Sequence, residues 1–279
     1  MYFIKNTCIR VHNMVDFVYK ENYAFEDLVK LVEILRLYCP WDREQTHQSI
    51  RRNLLEEAYE AAEAIDLEDP ELLREELGDV LLQVVFHTQM EREKGRFDIG
   101  SVCTGVCRKL IERHPHIFGD VVAGSAPEVL ERWDEIKRRQ KGQATHTEAI
   151  QSVARSLPSL WRTDKTLEKA GKSGLLPDID GGDRLERFKA LLDDIVSINE
   201  GGSSKAGYGE YAIGELLLLV VELARSIQVD PERALEKACD RFVRRFSFVE
   251  NRVAEDRTEG RSGNRDLADL WREAKSEET

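Results

Sequence analysis

At 279 residues the chain has length for one large or two small domains, each able to bury its own core. A net charge of −12 argues against a nucleic-acid scaffold, which needs a surplus of Lys and Arg, yet permits a small anionic ligand screened by local cations. The five cysteines are odd in number and lack any C-x-x-C spacing, which excludes a disulfide framework or zinc knuckle and fits a reducing cytoplasm. Residues 1–22 have no clear periodicity and no targeting signal, and read as an extension without assigned function. No apolar run in the chain approaches the ~20 residues of a membrane span, so no membrane partner is expected. From Phe25 the pattern Phe25, Leu28, Val29, Leu31, Val32, Leu35 is helical and stops at Cys39-Pro40, because proline disfavours helix in the residue before it. CPWDREQTHQSI follows, with Asp42 or Thr46 as candidate caps for the next helix and Trp41 on a turn, placed to pack a core or stack on a base.

Residues 53–87, NLLEEAYEAAEAIDLEDPELLREELGDVLLQVVFH, read as a helical hairpin. Asp69 is an N-cap with Pro70 at the first helical position and Glu71 in the first turn, and the short loop makes the two helices antiparallel neighbours. Glu57 and Glu60 stand three apart on the first helix and Glu76 and Asp79 three apart on the second, so each pair shares a helix face. Glu-rich helices are ordinarily just solvated, but VLLQVVF after Asp79 is apolar nearly all round and predicts a helix buried in a bundle. Four carboxylates in a poorly solvated place repel one another and either hold protons or recruit a cation, and an all-oxygen site suits Mg²⁺ or Mn²⁺.

Beyond the hairpin, Gly95 stops the helix and Asp98 caps the next, which carries Lys109 and Arg113 four apart on one face. Cys103 and Cys107 on that helix read as small core residues. His114-Pro115-His116 ends it, with packing or capping roles expected for the histidines, and PEVLERWDEIKRRQ forms another helix presenting Trp133 and Lys137. The polar stretch 141–151 reads as a linker between a domain over 23–140 and a second over 152–279. The second half repeats the first. GELLLLVVELAR from Gly214 echoes GDVLLQVVFHTQ from Gly78, Arg241 and Arg245 echo Lys109 and Arg113, and Trp271 and Lys275 echo Trp133 and Lys137. The second copy puts Ala212 and Glu215 where Glu76 and Asp79 stand, and Ala190 and Asp193 where Glu57 and Glu60 stand, so its acid set is broken. GKS at Gly171 to Ser173 is no P-loop, since Thr166 occupies the first glycine position, and GGSSKAGYG from Gly201 reads as a connection rather than a phosphate cradle.

With E-E-x-x-E ending at Glu60, E-x-x-D ending at Asp79, and the CPWDREQTHQSI, GRFD and KLIERHPHIFGDV segments in view, residues 25–140 resemble the MazG-type nucleoside triphosphate pyrophosphohydrolases. The two-copy layout resembles the family's longer members. The resemblance implies an all-α fold of two tandem helical-bundle units, a four-helix core completed in a homodimer, and Mg²⁺-dependent cleavage of nucleoside triphosphates to monophosphate and pyrophosphate. It makes Glu57, Glu60, Glu76 and Asp79 metal ligands, Lys109 and Arg113 triphosphate contacts, Trp133 and Lys137 residues closing over the nucleotide, and Asn53 a further substrate contact. Glu56 or Glu75 is then the candidate to orient or deprotonate the attacking water at the α-phosphorus. The surviving cations of the second copy leave two readings, nucleotide binding without cleavage or a dimer contact.

Three alternatives stay in view. One is a related helical pyrophosphohydrolase confined to deoxynucleotides or phosphoribosyl-ATP. Another is a non-catalytic nucleotide sensor. The third is a ferritin-like di-iron protein, for which only Glu44 and His47 offer the Glu-x-x-His spacing.

Overall fold

The computed structural model describes residues 15–119, 125–177, 181–199, 207–258 and 266–277, and among them every regular element is a helix. The chain divides into two compact units, Met1–Ile136 and Lys137–Thr279. No helix of the described residues is long and apolar enough to cross a membrane.

In the first unit, α1 (Phe25–Tyr38) opens with Asp27, whose carboxylate accepts from the Ala24 amide, and ends at Cys39 before the proline. The short α2 (Pro40–Glu44) contains Asp42, and α3 (Arg51–Asp66) has Ile50 at its N-cap with no side-chain cap, so neither expected residue caps it. Thr46 instead trades hydrogen bonds with Ser49, its Oγ1 accepting from the Ser49 amide and its amide donating to Ser49 Oγ, which closes the turn leading into α3. Trp41 is 62% exposed on α2 and packs no core.

Helix α4 (Pro70–Glu93) begins as read from the sequence, with the Asp69 carboxylate accepting from the Glu71 and Leu72 amides and Pro70 donating nothing. It packs along α3 and against α1, and the core gathers Val32, Ile50, Val85, Phe86 and Met90. The Arg36 guanidinium locks this layer. It donates to the Asp42 and Gln45 carbonyls at 2.6 and 3.0 Å, pairs with Glu93 at 2.5 Å, and lies 5.6 Å from the Phe86 ring centre. A planar five-donor fork can satisfy the end of one helix and the side of another at once, which a lysine could not.

Two expectations meet corrections here. Helix α4 is not enclosed all round, because Leu77, Leu81 and Val84 face solvent on one side of the single chain. Cys103 and Cys107 are exposed rather than core, on α5 (Ile99–Arg113), whose Val102, Val106 and Leu110 are also uncovered. The sequence pattern marks an apolar stripe but not whether this chain or another surface covers it. Short α6 (Pro115–Phe118) and α7 (Ala126–Gln140) follow.

In the second unit the expected linker is partly helical. Thr145 caps α8 (His146–Gln151) through a reciprocal box with Glu148, and Ala149 is buried, because T-x-x-E is itself a helix start. Helix α9 (Ser159–Gly171) continues to the GKS sequence, which is therefore a helix end and not a phosphate loop. Helices α10 (Gly181–Asn199) and α11 (Tyr208–Ser226) pack together around Leu191, Ala212 and Leu219, and α12 (Pro231–Thr258) pairs with α13 (Leu267–Ser276). The stretch 201–206 of GGSSKAGYG, residues 1–14 of the extension with Cys8, and Asp120 and Val121 of KLIERHPHIFGDV lie outside the described residues.

Candidate metal centre

Glu57 reaches inward from α3, and Glu76 and Asp79 from the first turns of α4, all three half-buried. One carboxylate oxygen from each lies within 4.8 Å of the others. The i, i+3 spacing on α4 and the antiparallel crossing with α3 make this meeting, since successive inward positions of the two helices face one another. Glu60, one turn beyond Glu57, is exposed, yet its charge bears on both Glu57 and Glu76.

The electrostatics are those of crowded anions. Burial, and then the charges of Asp79, Glu60 and Glu76, raise the Glu57 carboxyl above the usual range. The Glu76 carboxyl is raised by burial, and then by Glu60, Asp79, Glu75 and Glu63. No cation from the protein is paired with Glu57, Glu76 or Asp79 among the described residues. An all-carboxylate donor set fits a hard divalent cation such as Mg²⁺ or Mn²⁺, and Glu57, Glu76 and Asp79, with Glu60 within reach, are the residues that would hold it.

The other predicted residues lie on α3, α4, α5 and α7. Asn53 lies one turn before Glu57 on α3 and is half-buried. Glu56 is engaged by the Arg52 guanidinium at 2.6 Å, whereas Glu75 is exposed beside Glu76. Lys109 is exposed on α5. Arg113, one turn on, is buried, with its guanidinium 4.9 Å from the centre of the Trp133 ring of α7. That cation–π contact joins two of the predicted substrate residues to each other. Lys137 follows one turn after Trp133 and is half-buried.

Sequence reasoning missed a polar chain in the same unit. His47 contacts His87 Nδ1 to Nδ1 at 2.8 Å and Glu91 through Nε2 at 2.5 Å, and Glu91 is gripped by Arg96 at 2.5 Å. The Arg96 guanidinium, with His47 and Lys94, holds the Glu91 carboxyl down at about 2 despite burial. His47, the histidine of the Glu44-to-His47 spacing, has its two ring nitrogens against His87 and Glu91. The signal was present as His47, His87, Glu91 and Arg96, but nothing in their spacing links a turn at 47 to a helix at 87.

The second unit lacks a matching acid group among the described residues. Ala212 is fully buried, and Glu215 is ion-paired with Arg187.

The profile of the MazG nucleotide pyrophosphohydrolase domain matches residues 45–118, a span that includes α3, α4 and α5 with all four acids. Among known proteins, the chain is 38% identical to the nucleoside triphosphate pyrophosphohydrolase/pyrophosphatase MazG of Thermotoga maritima, over 83% of this chain and 88% of that one. It is 37% identical to the nucleoside triphosphate pyrophosphohydrolase of Escherichia coli K12, over 86% of this chain and 91% of the relative. With such likeness along most of both sequences, and with the family's domain lying over the acid hairpin, the chain belongs to the MazG nucleotide pyrophosphohydrolase family.

Proposed function

We propose that the protein hydrolyses nucleoside triphosphates to the monophosphate and pyrophosphate, with water attacking the α-phosphorus and the N-terminal unit as the active copy. The observation that carries this reading is the convergence of Glu57, Glu76 and Asp79 within 4.8 Å on two half-buried helix faces. A protein of net charge −12 cannot grip a triphosphate by general attraction. It needs a local device, and crowded carboxylates supply one by holding a cation.

Glu57, Glu60, Glu76 and Asp79 hold Mg²⁺, or Mn²⁺ in its place. When bound, the ion neutralises phosphate charge and stabilises the charge that develops on the leaving oxygens. Lys109 takes charge at the exposed end of the triphosphate, and Arg113, braced on Trp133, presents a fixed guanidinium to it. Trp133 and Lys137 close over the nucleotide, and Asn53 contacts it from the start of the acid face. The attacking water is oriented by Glu75 or Glu56. Of these Glu56 must first leave Arg52, while Glu75 forms no ion pair among the described residues. The uncovered apolar residues Leu77, Leu81 and Val84 fit a homodimer that completes a four-helix core, and the working compartment is the cytoplasm.

The deciding experiment is pyrophosphate release by the full-length protein with Mg²⁺, over a panel of ribo- and deoxynucleoside triphosphates and phosphoribosyl-ATP. Release from the triphosphates at rates abolished by Asp79→Asn supports the reading. Tight nucleotide binding with no pyrophosphate at saturating Mg²⁺ would make the protein a sensor, and turnover confined to one member of the panel would narrow the substrate.

A further inference from the structure

Gln83 of α4 puts a polar side chain into the interior of the first unit. It is only 9% exposed, and its Oε1 is buried with no hydrogen-bond partner among the described residues. One turn on, the buried Nε2 of His87 is likewise without a partner. Glu76, Asp79, Gln83 and His87 stand at i, i+3, i+7 and i+11, so the two unpartnered groups continue the acid face of α4. The facing helix extends the same row. Because α3 and α4 run antiparallel, Asn53, one turn before Glu57, and Gln83, one turn after Asp79, lie on the same side of the acid cluster. Ile50, at the N-cap of α3, joins Val85 and Phe86 in the core. Core packing thus closes the row at one end, and the half-buried carboxylates open it at the other.

A buried carboxamide oxygen with no partner costs free energy, and an apolar side chain of similar size would avoid that cost. The second unit shows that the fold accepts one. In the copy that echoes Gly78 at Gly214, Leu219 occupies the position of Gln83 and is 6% exposed, in a core cluster with Leu191 and Ala212. That copy lacks the acid set, and it also lacks the buried amide. We infer that Gln83 is a specificity-determining residue of the first unit, its carboxamide oxygen accepting a hydrogen bond from an N–H or O–H group of the substrate's nucleoside. The inference rests on the reading of this unit as a nucleoside triphosphate site.

Position and chemistry select the nucleoside rather than the phosphates. Gln83 is four residues beyond Asp79, roughly 6 Å along the helix, and so lies past the carboxylates that would hold the ion and the phosphate chain. The unpartnered atom is an acceptor, and ionised phosphate oxygens have no hydrogen to give it. Ribose hydroxyls and the amino and imino groups of bases do. A site built with a buried acceptor discriminates against ligands that lack the matching donor.

The test is calorimetric titration of the full-length protein in Mg²⁺ with three probes. They are α,β-methylene-ATP, which cannot be split at the α–β bridge, its 2′-deoxy form, and inorganic tripolyphosphate, which has no nucleoside. Gln83→Leu, which puts in the leucine of the second copy, should keep or raise the thermal midpoint in metal-free buffer. It should weaken the methylene analogue about three- to tenfold, as loss of one hydrogen bond does, and leave tripolyphosphate within about twofold of wild type. A loss that disappears with the deoxy form assigns the donor to the 2′-hydroxyl, and one that persists assigns it elsewhere on the nucleoside. Should Gln83→Leu melt early, Gln83→Met, unbranched like glutamine, carries the same comparison. No binding of the analogue by wild type, unchanged affinity in a folded variant, or equal losses for analogue and tripolyphosphate would each overturn the inference. The hydrolase reading fails separately, when wild type releases no pyrophosphate from ATP while the binding comparison still stands.

Discussion

His47 and His87 meet edge to edge. Their rings are 5° from parallel with centres 5.1 Å apart, yet the two Nδ1 atoms are only 2.8 Å apart, so a proton lies between them in the ring plane. The pattern of protons follows from the far end. Glu91, held ionised by Arg96, can only accept, so His47 must donate from Nε2. A neutral His47 then accepts at Nδ1 and His87 donates, which turns the bare Nε2 of His87 toward the interior, where it is buried and has no partner.

This geometry makes the first unit acid-sensitive in two steps. Burial and the neighbouring His47 hold the His87 pKa below its ordinary value of 6.5. As pH falls past that value the unfolded chain gains a proton that the folded chain refuses, so stability is lost. Glu91 has the sign of a depressed carboxylate. Its contribution is whole above the ordinary value of 4.5 and disappears as pH falls toward about 2. The raised Glu57 and Glu76 act oppositely, favouring the folded chain as they protonate. Urea midpoints of wild type and His87→Phe, compared from about pH 7.5 to 5.5, isolate the upper step. The gap between the two proteins should move in favour of the variant as pH falls, and a constant gap would show that His87 does not titrate differently on folding.

Asp79→Asn should separate stability from activity. In metal-free buffer the substitution removes one of several mutually repelling charges, so the thermal midpoint holds or rises. Pyrophosphate release should fall by orders of magnitude. A ligand at a hundred times its Kd stabilises by about 2.7 kcal/mol, so Mg²⁺ should raise the wild-type midpoint by several degrees and that of the variant by much less. Equal Mg²⁺ shifts in both proteins would remove the ion from this site, and Glu60→Gln should behave like Asp79→Asn if Glu60 closes the coordination sphere.

Much of this was legible in the residues because it is local. Asp69 caps α4 as its position before Pro70 demands, and the three-residue spacing of Glu76 and Asp79 survives into the convergence with Glu57. What escaped depends on partners far apart in the chain. Arg36 reads as one more surface cation at a helix end, yet it satisfies carbonyls of the next turn and Glu93 together. Thr145 and Glu148 form a capping box inside a stretch whose composition reads as linker. Leu81, Cys103 and Val106 show the reverse limit, for hydrophobicity alone does not say that a covering surface is present.

Lys109 and Arg113, alike by sequence spacing, should respond differently to mutation. Lys109 is exposed, so Lys109→Ala should leave the melt unchanged, raise KM and steepen its dependence on salt. Arg113 is buried against Trp133, so Arg113→Ala should also cost stability, on the order of 1 kcal/mol from the lost cation–π contact plus packing. Trp133→Leu should reproduce part of that loss. If KM is unchanged in Lys109→Ala, the lysine does not meet phosphate, and if Arg113→Ala melts like wild type, the contact with Trp133 contributes nothing to the fold.

Where the chain is cut decides whether the first unit can be judged alone. Ending it after Gln140 keeps α7 whole, with Trp133 and Lys137 both present and the Arg113 contact intact. A cut within the polar stretch, after Ala149, would instead carry along a severed α8 and expose an alanine that is 5% accessible in the full chain. The 1–140 fragment should be helical and release pyrophosphate from nucleoside triphosphates with Mg²⁺ to within a few-fold of the full-length rate, because all four acids, Lys109, Arg113, Trp133 and Lys137 lie within it. Circular dichroism separates the two ways this can fail. A fragment that does not fold leaves the site untested there and calls for the full-length Asp79→Asn comparison, whereas a folded but inert fragment means that the second unit contributes groups to the reaction.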